Sequence, residues 1–196
     1  MRKIHLSAMK YPNAQIAIAR KTQVSMAGTV LVTLGRVIGD TAEIYGGTRP
    51  ERYIYPNGSV IWVGGLDNPT KILSSERDII YVNQTEELTE DDWETLLTRC
   101  TGRSAVMPYT VLMGDCNPAG SKHWIRRRAE EKKLRLINTF HVDNPTLYDE
   151  DGNITIQGER TMLRLESLTG VRKLRLKSGI WASAEGVIYD EFINAS

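Results

Sequence analysis

The chain has 196 residues, of which 41% are apolar, which suits one good-sized domain or a domain with an appendage and excludes wholesale disorder. The formal net charge of +1 excludes a strong overall field that would attract nucleic acid or a membrane surface. The two cysteines, Cys100 and Cys116, provide neither a disulfide framework nor metal-ligand spacing, and no apolar run approaches the ~18 residues of a membrane span, so we expect a cytoplasmic protein without a membrane partner.

The first part of the chain predicts a helix, a strand, a second helix and a two-stranded hairpin, in that order. Alternating apolar residues indicate the first strand, and apolar residues near helical spacing indicate the second helix. The turn Pro56-Asn57-Gly58 indicates the hairpin. These elements cover residues 1–11, 15–19, 25–38, 53–55 and 60–63.

A short apolar run, Ile79–Val82, predicts a strand that is buried on both faces of a parallel sheet. The polar residues that follow it directly are Asn83, Gln84, Glu86 and Glu87. Thr89, with Asp92 three residues later, resembles a capping box, and acidic residues crowd the next turn, as the helix dipole favours. The stretch therefore predicts a buried strand, an acidic turn and a capped helix.

Beyond this helix the alternation of strands and helices continues. Residues 111–113 predict a strand that ends just before Asp115 and Asn117. Residues 122–133 predict a basic helix, and residues 134–138 predict another strand. The fold class is therefore α/β with a mostly parallel sheet.

The character of the sequence changes near residue 140, where a loop-like stretch precedes a predicted helix at residues 157–168. We therefore predict two parts, a core domain at residues 1–140 and an appended linker subdomain at residues 141–196. The linker has no obvious partner within the chain.

The polar residues after the two buried strands indicate chemistry. Open parallel sheets hold ligands at the carboxyl ends of their strands, so the segments after Val82 and Met113 should face one site. A phosphate-hydrolysing motor needs acids for Mg²⁺ and water, a polar sensor for the γ-phosphate, and a lysine-bearing phosphate loop. The loop pattern GxxxxGK[ST] does not occur in the 196 residues. From spacing alone, acids after a strand are more often a solvated helix N-terminus than a catalytic site.

The order of several segments resembles the large terminase subunit of tailed bacteriophages, the ATPase that pumps DNA into the capsid. Each segment alone is weak, but the ordered set is highly specific and covers nearly the whole chain. The matching segments are IARKT (residues 18–22), RYIYPNGSVIWVGGLDNPTKILSSERDIIYVNQTEEL (52–88), DWETLLTR (92–99), GDCNPAGSKHW (114–124), HVDNPTLYD (141–149) and LTGVRKLRLKSGIWASAEGVIYDEF (168–192).

The resemblance implies an incomplete P-loop NTPase of the RecA-like (ASCE) type, with a linker leading toward a nuclease domain. It implies ATP-driven packaging of double-stranded DNA into procapsids in a bacterial host cell, with ATP and Mg²⁺ as cofactors. The small terminase subunit and the portal protein are the implied partners. Because the chain contains neither the Walker-A loop nor the nuclease aspartates, we expect a truncated subunit that alone binds no nucleotide tightly.

The resemblance assigns residues 79–84 to the Walker-B segment, in which Asn83 and Gln84 stand where the family usually has Asp-Glu. Neither amide can supply a carboxylate to Mg²⁺ or act as a base. The resemblance therefore implies that Glu86 or Glu87 replaces the missing acid. If neither does, the site is inactive.

Two further groups take roles from the resemblance. Asn117, together with Asp115, resembles the coupling motif that links hydrolysis to domain movement, although a turn residue before a proline is the simpler alternative. Arg20, Lys21 and Thr22 resemble a segment close to the nucleotide, and their alternative is a solvent loop. No residue is assigned as a metal ligand.

The basic helix is a candidate surface for double-stranded DNA, because lysine and arginine side chains neutralise backbone phosphates. A solvated amphipathic helix explains the same residues at least as well. The candidates are Lys122, Arg126, Arg127 and Arg128.

Three alternatives to a terminase ATPase fragment stay open, of which the third, an unrelated α/β enzyme, is supported by no Ser/His/Asp or Cys/His arrangement. The chain could be a catalytically inactive prophage remnant that binds DNA or an intact partner. It could also be one half of a split ATPase, whose partner chain carries the Walker-A segment.

Overall fold

The computed structural model describes residues 1–102 and 107–183, so the end of the last terminase-like segment, residues 184–192, lies outside the described residues. The chain divides into two compact units, Met1–Cys116 and Asn117–Ser196. The functional boundary near residue 140 stays a prediction.

The first unit is built on a sheet that has six strands among the described residues. Its strands are β1 (Gln15–Arg20), β2 (Glu43–Tyr45), β3 (Arg52–Ile54), β4 (Val60–Gly65), β5 (Ile79–Val82) and β6 (Val111–Gly114). They lie in the order β2-β3-β4-β1-β5-β6, in which β4, β1, β5 and β6 are parallel and β2 and β3 are antiparallel. The predicted α/β fold with a mostly parallel sheet is therefore confirmed.

The central strands β1 and β5 are buried as their apolar sequences predict. Residues 16–19 of β1 have no exposed surface, and neither do Ile79 and Ile80 of β5. In the register of the sheet, Ile16 lies between Ile61 of β4 and Ile79 of β5. Each fully buried isoleucine contributes roughly 1.5–3 kcal/mol, so this row anchors the centre of the sheet.

The predicted hairpin is present as β3 and β4. Its turn is closed by Gly58 N donating to Tyr55 O at 3.0 Å, and Gly58 has a φ of 82° that glycine adopts without strain. The sequence did not predict β2, which pairs with β3 through only three residues. All three are exposed, so β2 carries no alternation of buried and exposed residues that could have revealed it.

Four α-helices belong to the described part of the first unit. They are α1 (Arg2–Lys10), α2 (Val30–Ile38), α3 (Thr70–Leu73) and α4 (Glu90–Arg99). The predicted helix at residues 25–38 is divided, because a 3-10 turn at Val24–Met26 precedes α2. The predicted capping box of α4 is confirmed: Thr89 Oγ1 accepts from Asp92 N at 3.1 Å, and Asp92 Oδ2 accepts from Thr89 N at 2.9 Å.

The second unit contains three helices among its described residues: α5 (Trp124–Glu130), α6 (Ile156–Glu166) and α7 (Gly170–Leu176). The predicted basic helix is shorter than expected, since it ends before Lys132, whose φ is 58°. The predicted helix at residues 157–168 is confirmed as α6.

The predicted strand at residues 134–138 is wrong, because these residues are irregular and pair with no strand of the described part. Their alternating apolar pattern does not make a strand without a neighbouring edge, and Ile137 is left 70% exposed. No helix within residues 1–102 and 107–183 combines the length and apolar character needed to cross a bilayer.

Candidate functional site

Polar residues follow three neighbouring parallel strands at one edge of the first unit. Arg20 ends β1, Asn83 follows β5 and Asp115 follows β6. Backbone hydrogen bonds join these segments, since Asn83 N donates to Ala19 O at 2.8 Å and Asp115 N donates to Val82 O at 3.1 Å. The structure therefore brings together the ends of β5 and β6, as the sequence predicted, while the roles of the residues stay predictions.

The acidic turn, Thr85–Glu87, is a 3-10 helix that lies against the end of β6. Thr85 is 3% exposed, and its N–H donates to Asp115 O at 2.8 Å. A Cβ added to Gly114 would lie 2.1 Å from Thr85 Oγ1 and 2.7 Å from Val82 O. Only glycine therefore lets the acidic turn approach β6 this closely.

The carboxylate of Asp115 is held by two neutral side chains. Tyr81 OH donates to Asp115 Oδ1. Asn83 Nδ2 donates to Oδ1 at 3.1 Å and to Oδ2 at 3.3 Å. Burial, followed by the hydrogen bond to Asp115 and its charge, raises the pKa of Tyr81 well above its ordinary value, so the phenol stays a neutral donor.

Asn83 and Gln84 carry signs of strain. Asn83 Oδ1 and Gln84 Oε1 are buried and have no hydrogen-bond partner in the described part of the chain. Gln84 also adopts left-handed backbone angles, with φ 53° and ψ 60°. Each buried polar atom without a partner costs about 1–3 kcal/mol, and strain of this kind is concentrated at functional sites. Tyr81, Asn83, Gln84, Glu86 and Asp115 together are called the strand-end site.

Arg20 is engaged by the acidic turn rather than by solvent. Its Nε donates to Glu87 Oε2 at 3.1 Å, and its Nη2 donates to Glu87 Oε1 at 2.9 Å. Its Nη1 donates to Ser25 O at 2.9 Å. Both oxygens of Glu87 are therefore bound by one guanidinium, which fixes the acidic turn to the end of β1.

Lys21 and Thr22 also bond within the first unit. Lys21 Nζ lies 2.8 Å from Asp92 Oδ2, and Thr22 Oγ1 lies 2.8 Å from Ser25 Oγ. Burial by itself would raise the pKa of Asp92, but the hydrogen bonds from Lys21 and Thr89 outweigh it, so that pKa is lowered. In this structure Arg20 thus binds the acidic turn, and Lys21 binds α4.

Glu86 and Asp115 place negative charge around Cys116. Burial, and then the charges of Glu86 and Asp115, raise the pKa of the Cys116 thiol from 9.0 to about 11. The thiol therefore stays protonated. Because both carboxylates raise the pKa of this one thiol, Glu86 and Asp115 both lie near Cys116.

Asn117 begins the second unit and is exposed. Its neighbours Asp115 and Cys116 belong to the first unit. Asp115 is therefore part of the strand-end site, whereas the coupling role of Asn117 stays a prediction.

The candidate DNA-binding residues lie in and just before α5, and they differ in exposure. Lys122 and Arg127 are exposed. Arg126 is half-buried, and its Nε donates to Glu130 Oε1 at 3.0 Å. Arg128 is only 6% exposed, so its guanidinium offers little surface to a DNA backbone.

One residue of the strand-end site, Tyr81, and one residue beside it, Gly114, were missed in the sequence. Tyr81 was treated only as part of an apolar run, although its hydroxyl was a signal that this strand carries one polar tip. Gly114 carried no such signal, because its importance depends on the approach of Thr85, which is distant in sequence.

The side-chain atoms of the strand-end site that could bind a metal are all oxygens. They therefore fit a Mg²⁺ ion better than a transition metal. No group of three or more histidine, cysteine or acidic side chains capable of holding a metal occurs within the described residues. Mg²⁺ in nucleotide sites needs only one or two carboxylates, because substrate phosphates complete its coordination. Asn83 and Gln84 offer the unpartnered oxygens and Asp115 and Glu86 the carboxylates.

Comparison with solved structures identifies the fold. The chain matches the large terminase from a thermophilic bacteriophage with a TM-score of 0.68 and 16% sequence identity, over 92% of this chain and 44% of that chain. The same terminase in complex with ATP-γ-S matches with a TM-score of 0.64 and 16% identity, over 92% of this chain and 43% of that chain. The HK97 bacteriophage large terminase matches with a TM-score of 0.50 and 14% identity, over 98% of this chain and 41% of that chain.

The sequence itself matches no protein-family model and no curated protein. The chain spans less than half of the length of the terminases it matches. At these identities the match concerns the fold alone. The chain has the fold of the phage large terminases, and the resemblance expected from its sequence is confirmed at that level.

Proposed function

We propose that the chain is part of the ATPase of a phage large terminase, the motor that drives double-stranded DNA into procapsids. One observation carries this proposal: within a terminase fold, the segments after β5 and β6 bring acids and amides together at the carboxyl edge of the sheet. The terminase of the thermophilic bacteriophage, which has the same fold, binds ATP-γ-S, and this supports a nucleotide as the ligand of this edge.

The side chains of the strand-end site have different proposed roles. Magnesium bound with the nucleotide would supply positive charge against the negative charge of the phosphates. Asn83 and Gln84 would hold this ion through their neutral side-chain oxygens, and Glu86 would accept a hydrogen bond from the attacking water and orient it. Arg20 acts indirectly, because it holds the acidic turn through Glu87.

The phosphate loop is proposed to come from a segment outside these 196 residues, on the same or another polypeptide. Among the described residues, β5 is the only strand that pairs with β6. Residues 111–113 of β6 are apolar and half-buried, so the outer edge of β6 can accept a parallel strand. A strand placed there would lead its phosphate loop to the carboxyl edge that carries Asp115.

The test is ATP hydrolysis by the chain with and without a segment that carries a phosphate loop and its preceding strand. The chain alone should turn over slowly or not at all. The complemented chain should hydrolyse Mg-ATP at on the order of 1 s⁻¹, and Glu86→Gln should lower this rate by roughly 10²–10⁴. Asp91→Asn, which changes an exposed acid of the same stretch, is the matched control. No turnover after the added segment has been shown to bind would contradict the proposal.

A second candidate function is a module that binds DNA without hydrolysing ATP. It is favoured by the amides at Asn83 and Gln84 and by the exposed Lys122 and Arg127. This candidate predicts salt-sensitive DNA binding together with no turnover in the complementation experiment. The proposed ATPase predicts turnover as well. In either case the small terminase subunit and the portal protein are proposed partners of the complete motor.

A further inference from the structure

The acids near the strand-end site differ in how their charges are compensated. Glu87 is bound through both oxygens by Arg20, and Asp92 is bound by Lys21. Among the described residues, the side chains that donate to Asp115 are Tyr81 and Asn83, which are both neutral. No cationic side chain of the described residues therefore offsets the charge of Asp115 through a hydrogen bond, whereas Arg20 and Lys21 do so for Glu87 and Asp92.

We propose that Asp115 is the carboxylate that binds the divalent cation of this site, with Asn83 Oδ1 as a neighbouring ligand. The proposal rests on the proposed function, because the cation is the one that accompanies a nucleotide. The proposal takes Asp115, and not Glu87, as the acid that replaces the missing carboxylate. It also gives Asp115 a role that is distinct from coupling.

The hydrogen bonds to Asp115 leave room for a cation. A carboxylate has about four lone-pair positions, and Asp115 uses its Oδ1 for Tyr81 and Asn83 but its Oδ2 only for a long contact of 3.3 Å with Asn83. Asp115 is exposed, so an ion can reach it from solvent. Donors behind a ligating carboxylate fix its orientation, which is what Tyr81 and Asn83 do here.

The backbone of Asp115, like its side chain, is held by hydrogen bonds. Its N–H donates to Val82 O at 3.1 Å, and its carbonyl accepts from Thr85 N at 2.8 Å. Gly114 permits this approach, because any side chain at that position would meet Thr85. Asp115, the first residue after β6, is thus held by backbone hydrogen bonds to the end of β5 and to the acidic turn, and a ligand supported in this way keeps its position.

Asn83 provides the second part of the argument. Its Nδ2 is committed to Asp115, while its Oδ1 is buried and has no hydrogen-bond partner within the described part of the chain. A cation beside Asp115 would satisfy this oxygen and remove its cost. Gln84 has left-handed backbone angles, and its Oε1 is likewise buried without a hydrogen-bond partner in the described part of the chain. It therefore also supports a cation at this segment.

The test uses terbium(III), an ion that prefers oxygen ligands and emits light when a nearby tyrosine is excited. The full chain should give saturable emission that Mg²⁺ suppresses by competition. Asp115→Asn should weaken terbium binding by at least about tenfold, and Tyr81→Phe should dim the emission because the sensitising phenol is lost. Asp91→Asn should leave both unchanged. Melting temperatures of all variants show whether each one is folded.

A second variant adds a charge instead of removing one. Asn83→Asp should tighten terbium binding, and it should make the melting temperature of the chain depend on Mg²⁺, because two neighbouring carboxylates repel each other until a cation joins them. Unchanged binding in both Asp115→Asn and Asn83→Asp would overturn the proposal, as would loss of binding in Glu86→Gln alone.

The same variants in the complemented ATPase assay separate the two proposals. Turnover that persists at full rate in Asp115→Asn, with terbium binding intact, overturns the role of Asp115 and leaves the proposed function standing. Terbium binding that depends on Asp115, in a chain that never hydrolyses ATP after complementation, supports the cation site and overturns the ATPase. Absence of saturable terbium emission from the unaltered chain overturns the role of Asp115.

Discussion

Arg20 at the end of β1 donates two parallel hydrogen bonds to Glu87 in the acidic turn, from Nε to Oε2 at 3.1 Å and from Nη2 to Oε1 at 2.9 Å. The Arg20 side chain is 9% exposed and that of Glu87 is 39% exposed. The pair therefore combines a buried cation with a partly solvated anion. It ties the central strand of the sheet to the turn that carries Glu86.

We expect Glu87→Gln to lower the free energy of unfolding by about 1–3 kcal/mol, because the buried guanidinium of Arg20 would lose its charged partner. Lys21→Gln is the matched comparison, since the Lys21–Asp92 pair is more exposed and should contribute less than ~1 kcal/mol. Urea unfolding of the three proteins measures both changes. Equal losses in the two variants would show that the burial of Arg20 does not decide the strength of its pair.

We expect Gly114→Ala to destabilise the chain by about 1–3 kcal/mol, because the new methyl group would overlap Thr85 Oγ1 and Val82 O. Gly35→Ala is the control. Gly35 lies inside α2 with nothing within 4 Å of an added Cβ, so alanine there should stabilise the helix by up to ~1 kcal/mol. Thermal unfolding compares them, and a Gly114→Ala chain as stable as the unaltered one would refute the close approach.

We expect Cys116 to react slowly with iodoacetamide until the pH approaches about 11, because burial and the charges of Glu86 and Asp115 disfavour its thiolate. Asp115→Asn should lower this pKa, whereas Asp91→Asn should not. The rates are measured against pH in a Cys100→Ser background. A midpoint near 9.0 in the unaltered protein would contradict the charged surroundings.

The same pKa shift predicts how Cys116 affects stability. An unfolded cysteine loses its proton near 9.0 and the folded one near 11. The contribution of Cys116 to folding is therefore complete below pH 9 and is lost as the pH rises to 11. Cys116→Ser should reduce the pH dependence of unfolding in this range only.

We expect DNA binding, where it occurs, to depend on the exposed and half-buried basic residues in and just before α5. Three phosphate contacts from Lys122, Arg126 and Arg127 would give a log–log salt slope of roughly −2.7, and replacing all three by alanine should remove it. Arg36→Ala, a single exposed arginine of the first unit, should change the slope by less than about 0.9. Titration of labelled duplex DNA at several salt concentrations measures these slopes. An unchanged slope in the triple variant would leave the helix as a solvated surface.

The sequence by itself determined the elements whose signals are local. The apolar run Ile79–Val82 could be read as a buried parallel strand, and Thr89 with Asp92 as a helix start, because the hydrogen bonds or spacing that define them lie within a few residues. The terminase-like order of segments likewise predicted the fold. The same local reasoning failed at residues 134–138, where an alternating pattern had no neighbouring strand to pair with.

Only the tertiary structure decided the composition of the strand-end site. The Arg20–Glu87 pair joins residues 67 positions apart, and the Tyr81–Asp115 contact spans 34. Such contacts depend on the order β1-β5-β6 in the sheet, which sets strand ends side by side regardless of their separation along the chain. The sequence could name the acids after β5, but the sheet order determined that Glu87 is bound by Arg20 and that Asp115 stands beside Asn83.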